Sequence, residues 1–414
     1  MSNDIIVGLD IGTQYTRVAV AEKLDGGGFQ IIGTGKAEST GMRKGSVTNI
    51  EKTVQGINAA IDAAEMMSGV DIEHCAIGLG GAHIEGLNSR GVFPVRDKGK
   101  NNREIDRTDI DSVINSAKAI EIPLDREIIH VVPQSYTVDK QRDIRDPLNM
   151  IGVRLEAEVH IITGSVTSIK NTILCVNRAN LRVDSLMHHC IADVKAVMTK
   201  DEQELGSVLV DIGAGTTEIT VMQRGAPVMT AVIPVGGIQV TNDLAMIKKI
   251  PFDAAEKIKI ANGCCWREFA EDSEPIVLPP VAGRGPEEML KSEICEIFQA
   301  RMAEIFAMVK DKVSLFTGEM FLSGAVVLCG GAALLPGSVE LAGEIFELPS
   351  VRLGIPSTIG GLTGDYRSPE FASVLGLIWN EYENQSKEES AAVSGGDNSS
   401  RVFKRVSNFF KELF

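Results

Sequence analysis

Two stretches of this chain share one layout, and any fold has to accommodate both. Val208–Met222, VLVDIGAGTTEITVM, runs an apolar strand into a single carboxylate, Asp211, and then into a turn of Gly213, Ala214, Gly215, Thr216 and Thr217. A second alternating strand leads away from that turn. Ile6–Val20, IVGLDIGTQYTRVAV, repeats strand, carboxylate (Asp10), Gly12, Thr13 and returning strand at matching offsets. A glycine-broken turn of this kind presents backbone N–H groups and hydroxyls to an anion, while the carboxylate at the strand end faces a cation. One such hairpin is usually only a turn. Two copies about two hundred residues apart imply two related half-domains facing each other, each with an anion loop and an acid.

At 414 residues the chain is too long for one core and fits two lobes or several subdomains. No apolar run reaches the length of a membrane span, and a strand follows within a few residues of Met1, so no leader is expected and the body is expected in the cytoplasm. The cysteines (Cys75, Cys175, Cys190, Cys264, Cys265, Cys295 and Cys329) form no CxxC pair, which favours buried reduced thiols over disulfides or zinc ligands. The neighbours His188 and His189 lack a carboxylate–histidine pattern at ligand spacing, so no metal site is assigned to them. A net charge of −15 argues against nucleic acid as a partner.

Taken in order, residues 5–36 read as three strands, Thr53–Ser68 as an amphipathic helix and Cys75–Leu79 as a buried strand. From about His83 to Ile162 the character changes to short strands and one helix, Arg107–Ala119, capped around Thr108 and Asp109. This is an inserted domain, either a spacer or a contact surface. A helix over Ser165–Ala179, a strand over Val183–Met187, a helix over about Ile191–Thr199 and a charged turn, Lys200–Glu204, lead to the second hairpin. Thr241–Lys248 opens a helix just after Gly236–Gly237, where a helix N-terminus favours anions. Glu256 and Lys259 share a face of the helix Ala254–Gly263, and a long helix is expected from about Glu287 to Phe316. The strand Ala325–Cys329 ends at Gly330, Gly331 and Ala332, where backbone can approach a planar ligand. Pro369–Tyr382 is the closing helix, and Glu383–Ser400 reads as a structureless linker reaching roughly 20–25 Å.

The last fourteen residues, RVFKRVSNFFKELF, place Val402, Phe403, Val406, Phe409, Phe410, Leu413 and Phe414 on one helical face. Arg401, Lys404, Arg405 and Lys411 against Glu412 give this tip +3, leaving −18 for the remainder of the chain. Docking on the body and binding a partner protein are alternatives. An interfacial anchor, with phenylalanines at the acyl boundary and cations at anionic headgroups, fits this composition best.

The two Asp–Gly hairpins, the segment Cys190–Gly206, the Gly330–Gly331 loop and the closing helix resemble the actin/Hsp70/sugar-kinase ATP-binding superfamily. Within it the chain resembles the FtsA family of bacterial cell-division actins along nearly its whole length. The resemblance rests on the insertion, TKDEQELGSVLVDIGAGT, VIPVGG with VTNDLA, the AEKIK helix with NGC, VVLCGGAALLPG, GLTGDYRSPEFASVLGL, and the linker with its tail. It implies an α/β, actin-like two-lobed ATPase fold of duplicated RNase H-like domains, with an inserted subdomain in the first lobe. Residues 1–82 and 163–200 would form subdomain 1A, 83–162 the inserted 1C, 201–246 and 325–382 subdomain 2A, and 247–324 subdomain 2B. A disordered linker (383–400) and an amphipathic membrane-targeting helix (401–414) would follow.

The resemblance also implies ATP with Mg²⁺ between the lobes. Gly12, Thr13, Gln14, Gly213, Ala214, Gly215 and Thr216 would hold phosphates, Asp10 and Asp211 the Mg²⁺ through its waters, and Gly236 would border the phosphates. Glu256 and Lys259 would meet the adenosine, and Gly330, Gly331 and Ala332 the base and ribose. The implied partners are the C-terminal peptide of FtsZ (with Arg301 as a contact), further copies in a filament, later division proteins and anionic lipids, but no nucleic acid. The implied location is the cytoplasmic face of the inner membrane at the division septum. Actins position a water-orienting glutamine from the inter-lobe helix. Here IADVKAVMT has no Gln or Glu and Asp193 is the nearest polar residue, so weak or absent turnover is expected and no catalytic residue is assigned. A phosphotransfer enzyme of sugar-kinase type and a chaperone-type ATPase are the alternatives. The first lacks a sugar-binding polar cluster, and the second would need a peptide-binding domain after the linker.

Overall fold

The computed structural model describes residues 4–95, 103–271, 275–278, 287–318, 323–348, 350–356, 360–361 and 366–393. β1 (Ile5–Ile11) and β2 (Tyr15–Lys23) form the first hairpin and β3 (Phe29–Glu38) extends the meander. A small hairpin, β4 (Met42–Arg43) and β5 (Ser46–Val47), leads into α1 (Ile50–Ser68). The Asn49 side chain caps α1 by accepting from Lys52 N at 3.0 Å, an interaction worth about 1 kcal/mol. Ile57, Ala60, Ile61 and Ala64 recur at helical spacing and bury that face of α1 against the first sheet. β6 (His74–Leu79) then lies parallel to β1.

The insertion is a separate layer with its own core. β7 (Glu85–Pro94), β8 (Arg103–Glu104), α2 (Arg107–Lys118), β9 (Arg126–Val138), β10 (Gln141–Ile144), β11 (Ile151–Gly152) and β12 (Arg154–Ser165) follow in order. The four long strands form an antiparallel sheet, β10-β9-β12-β7, with α2 packed through Val113 and Ala117 on Leu155, Ala157 and Val159. The cap of α2 is Asp106, not the Thr108/Asp109 pair. Its carboxylate accepts from Thr108 N and Asp109 N (2.8 and 3.0 Å), and Asp109, gripped by both Arg103 nitrogens at 2.6 Å, accepts from Asp106 N. Two reciprocal bonds outcompete a single one at the next positions.

The chain re-enters the first lobe through α3 (Val166–Arg178) and β13 (Arg182–His188), then crosses on α4 (His189–Val197) and α5 (Lys200–Leu205). The stretch 200–204, expected as a charged turn, is helical because Thr199 and Glu202 close a capping box around it.

The second lobe repeats the first. It comprises β14 (Ser207–Ile212), β15 (Thr217–Gln223), β16 (Ala226–Ile233), α6 (Gly237–Lys248), α7 (Phe252–Asn262), β17 (Ile276–Leu278), β18 (Glu287–Met289), α8 (Lys291–Thr317), β19 (Val326–Cys329), α9 (Ser338–Phe346) and β20 (Val351–Leu353). Its sheet reads β16-β15-β14-β19-β20, the same order of meander and parallel strands as β3-β2-β1-β6-β13 in the first lobe. Phe298, Met302, Ile305 and Phe306 of α8 fill its core. The long helix starts at Lys291 rather than Glu287, because Glu287–Met289 pairs with Ile276–Leu278 as a two-stranded ribbon. α6 likewise begins at Gly237, four residues ahead of Thr241.

The largest departure concerns the closing segment. β21 (Gly360–Gly361) joins β3, and α10 (Ala372–Val393) packs Val374, Leu375 and Ile378 on Ile6, Ala19 and Ile31. Gly360–Gly361 and α10 therefore pack on the first lobe, where the sequence reading places them in the second. α10 also runs on through residues expected to be structureless. Glu383 is held by Lys195 (2.6 Å) and Trp379 (3.0 Å), and the Glu, Lys and Ala residues that follow are good helix formers once a helix is under way. α4 and α10 meet back to back at the junction of the lobes, where Gly376 leaves no room for a Cβ against the Ala192 carbonyl.

Candidate functional site

The two hairpin turns meet at a cleft of about 340 Å³. Asp10, Gly12, Thr13 and Gln14 line one wall and Asp211, Gly213, Ala214 and Thr216 the other. Gly330, Gly331 and Ala332 also line it, as do Glu256 and Lys259 from α7. Two of the sequence-predicted glycines lie behind this lining. A Cβ on Gly215 would stand 2.8 Å from Thr13 Oγ1, so this glycine lets the two turns touch. A Cβ on Gly236 would meet Gly213 O at 2.5 Å; beside it Gly237 N and Ile238 N donate to Gly213 O and Ala214 O, both at 2.9 Å. The first N–H groups of α6 are thus spent on the hairpin and not left for an anion, contrary to expectation. The Gln14 amide stays in the cleft but is engaged there: its Nε2 donates to Glu256 Oε1 at 3.0 Å, joining the two lobes across it.

The floor holds acids and a histidine that sequence reasoning passed over. Asp10 lies opposite Arg17 and Asp211 opposite Glu218, and in both hairpins the partner comes seven residues after the aspartate. Residues directly opposite on a hairpin share a face, so the repeat itself pointed to Arg17 and Glu218. His189, the first residue of α4, places Nε2 at 3.1 Å from Asp10 Oδ1. Its nearest acid, Asp10, and Glu218 come from strands far away in sequence, which is why no ligand spacing showed there. Asp193 does not line the cleft; it is buried and accepts from Ser373 Oγ at 2.7 Å. His189, not Asp193, is the side chain that α4 turns toward the cavity.

Burial would raise the Asp10 carboxyl, but the neighbouring imidazolium and Arg17 hold it below the usual range. Burial lowers His189, yet Asp10, Glu218 and Asp193 outweigh it and push the imidazole up to about 10. Burial, with Asp10 nearby, raises Asp211 to about 6, His189 opposing. Burial and Asp211 raise Glu218 to about 7, although Gly81 N donates to it at 2.8 Å.

Among the described residues lining the cleft, every cation already has a carboxylate. Arg17 and Lys36 share Glu370 (2.5 and 2.8 Å), Lys259 holds Glu256 (2.8 Å), and His189 holds Asp10. Asp211 and Asp10 Oδ1 are left facing the cavity; the Asp10 oxygen is fully buried and accepts no well-aligned hydrogen bond. An anion entering here meets glycine backbone and hydroxyls but no uncommitted positive charge, while Asp211 has no cation of its own. The site therefore fits an anion that arrives with a divalent cation. A second donor cluster, His188, Cys190 and Glu218, lies within 4.8 Å, but His188 Nδ1 already bonds Leu79 O at 2.9 Å and burial keeps the thiol protonated.

Arg301 lies on α8, committed to Asp243 (2.6 and 3.0 Å) and to Glu304. The sequence-predicted membrane residues Arg401, Val402, Phe403, Lys404, Arg405, Val406, Phe409, Phe410, Lys411, Leu413 and Phe414 lie outside the described residues.

A duplicated pair of sheets with acid-tipped hairpins across a cleft is the architecture of the actin-like proteins. Solved structures of that class share the fold. The PilM–PilN type IV pilus biogenesis complex matches with a TM-score of 0.66 at 14% identity, covering 91% of this chain and 98% of that one. MreB5 of Spiroplasma citri bound to AMPPNP matches with a TM-score of 0.53 at 13% identity, covering 96% of this chain and 100% of that one. The family description "Cell division protein FtsA" matches residues 208–376, and "SHS2 domain inserted in FTSA" matches 81–163. The cell division protein FtsA of Pseudomonas aeruginosa strain PAO1 is 41% identical over 399 residues, covering 96% of this chain and 94% of its relative. The chain belongs to the FtsA family of cell division proteins.

Proposed function

We propose that this protein binds ATP with Mg²⁺ in the cleft and, in that state, forms filaments that tether FtsZ to the cytoplasmic face of the inner membrane at the septum and recruit later division proteins. One observation carries the nucleotide reading: the cleft's cations are pre-paired with Glu370, Glu256 and Asp10, while Asp211 across the cleft has no cation partner among the described residues. Asp10 and Asp211 would hold the metal through its waters, the turns at Gly12–Thr13 and Gly213–Thr216 the phosphates, and Gly330–Ala332 with Lys259 the nucleoside end. The bound cation would supply charge neutralisation at the phosphates. A structure of the same fold class is of a protein bound to AMPPNP.

Turnover is weak in this reading, because the side chain that α4 aims into the cleft is an imidazolium paired to Asp10 and not a water-orienting amide or base. Nucleotide then acts as a conformational ligand. The tail supplies the membrane contact through its phenylalanines and four cations, and among the described residues no helix is long and apolar enough to cross a membrane. Many such feet on one filament would turn weak attachment into firm attachment.

Calorimetry with ATP tests the site. Binding with Mg²⁺ that disappears in EDTA is expected, and binding indifferent to Mg²⁺ would refute it. Co-sedimentation of protein and the FtsZ C-terminal peptide with anionic vesicles tests the tether, and peptide left in the supernatant would count against it.

A further inference from the structure

The inserted sheet is fastened to the second lobe as well as to the first, and the strands it grips are those of the second phosphate hairpin. β16 is the edge strand of the second sheet, next to β15, which runs straight out of the Gly213–Thr216 turn. Side chains of the insert hydrogen-bond along that edge. Asn88 Nδ2 donates to Val228 O at 2.9 Å, Gln134 Nε2 to Pro227 O at 2.9 Å, and His160 Nε2 lies 2.9 Å from Thr230 Oγ1. His160 and Thr230 are fully buried, so this is a seated joint and not a grazing surface contact. At the other face of the hairpin, Glu218 on β15 accepts from Gly81 N at 2.8 Å, at the root from which the insert departs.

We infer that the inserted domain is geared to the phosphate turn of the second lobe: because β15 and β16 are held by the insert at root and flank, a shift of that hairpin on nucleotide binding reorients the insert. The inference rests on the nucleotide reading for its trigger. Besides the neutral hydrogen bonds, each worth about 1 kcal/mol, the joint includes two exposed ion pairs, Arg224 of the β15–β16 turn with Asp143 of the insert and Arg145 of the insert with Glu204, which contribute little each, so it can re-register without unfolding either core. It deepens the proposed function by naming how nucleotide would control an insert that contacts a neighbouring copy. Physical coupling requires an element with two arrangements that both sites bias, and the β15–β16 hairpin, held at root and flank, is the element this inference assigns that part.

Hydrogen exchange on the full chain, with and without ATP and Mg²⁺, tests this. In the wild type, nucleotide should slow exchange in 208–223 and also in 85–94 and 126–138, by about threefold or more, as local opening becomes harder. In Asn88→Ala with Gln134→Ala, calorimetric affinity should stay within about twofold and 208–223 should still respond, while the response of the insert shrinks because His160–Thr230 and the Arg224–Asp143 pair are what remain. An insert that ignores nucleotide in a wild type that binds it, or that responds equally in the variant, overturns the inference. If the wild type binds no ATP, the nucleotide reading has failed and the joint is judged without it: the variant should then exchange faster at 226–231 and 85–94, and unchanged rates there overturn the joint too. Thr230→Val, which keeps shape while removing the hydroxyl, provides the same readout should the double variant melt early.

Discussion

Gly330→Ala addresses the cleft at its tightest point. Gly330 follows β19 with φ +83°, a region where an alanine costs about 1–2 kcal/mol. Its Cβ would overlap the Asp211 carboxylate and stand 2.5 Å from Ile212 O, where 3.4 Å is the near limit of ordinary contact. The neighbours must therefore retreat by about 1 Å, and the group with freedom to do so is Asp211, since Ile212 is backbone inside a paired strand. Displacing the carboxylate proposed to face the metal by that much should lower affinity for ATP with Mg²⁺ by about 10–100-fold, the range found when the support of a ligand is disturbed. Calorimetry reads the affinity and scanning calorimetry the stability, which should fall by a few degrees. Gly26→Ala is the control, because nothing lies within 4 Å of its added Cβ. Unchanged nucleotide affinity in Gly330→Ala, with Gly26→Ala also unchanged, would refute the placement of Asp211 in the site.

Gln14→Ala removes the hydrogen bond that crosses the cleft to Glu256. Losing about 1 kcal/mol there should speed nucleotide release by about fivefold in stopped flow, and an unaltered rate would show that the contact does not gate exit. Phe409→Glu with Phe410→Glu should release the protein from anionic vesicles while calorimetric ATP binding persists; continued sedimentation with vesicles would remove the anchor. Burial pushes His83, His130 and His160 down to about 4 from an ordinary 6.5. Their neutral forms favour the fold above pH 6.5, and that contribution drains away as pH falls toward 4, because the unfolded chain takes up protons first. Urea midpoints measured from pH 7 to pH 4.5 should fall accordingly, and His160→Asn should flatten the slope. His189 has the opposite sign: raised to about 10, its contribution is complete below 6.5 and fades as pH climbs through 10, so it cannot produce the acid-side loss.

The duplicated fold was legible because one periodicity and one motif recur. Asp10 and Asp211 sit at strand ends with glycine two residues on, and both hairpins formed with the aspartates facing one cavity. What escaped notice depends on chain crossings that no local window contains. Glu370 reaches Arg17 over a separation of 353 residues, and Glu256 reaches Gln14 over 242. The closing helix read as part of the second lobe because it follows that lobe in sequence, yet its apolar face matches Ile6, Ala19 and Ile31 of the first sheet. Its extension past Glu383 was missed for a different reason. Polar composition reads as disorder, while Lys195 of α4 holds Glu383 from outside and Trp379, one turn back on α10 itself, donates to the same carboxylate. Arg17 and Glu218 were within reach, since superposing the two hairpins on their aspartates places both at the facing position.

That superposition also shows where the two halves cease to be equivalent. The first hairpin sets Asp10 against a cation, Arg17, and meets a second in His189; the second sets Asp211 against another acid, Glu218. One aspartate is consequently held below its ordinary pKa and the other above it. Bringing the lobes together adds a negative wall to one that is already balanced, so the demand for a cation belongs to the closed cleft and to neither hairpin alone. The two aspartates part company under substitution for this reason. Asp10→Asn strips the buried His189 imidazolium of its partner and should cost about 3–5 kcal/mol of stability even without ligand. Asp211→Asn relieves repulsion between buried acids, so it should leave the ligand-free protein as stable or more so while abolishing the Mg²⁺ requirement or the binding itself. Equal thermal behaviour of the two variants in the absence of nucleotide would mean that the charges of the cleft floor are not arranged in this asymmetric way.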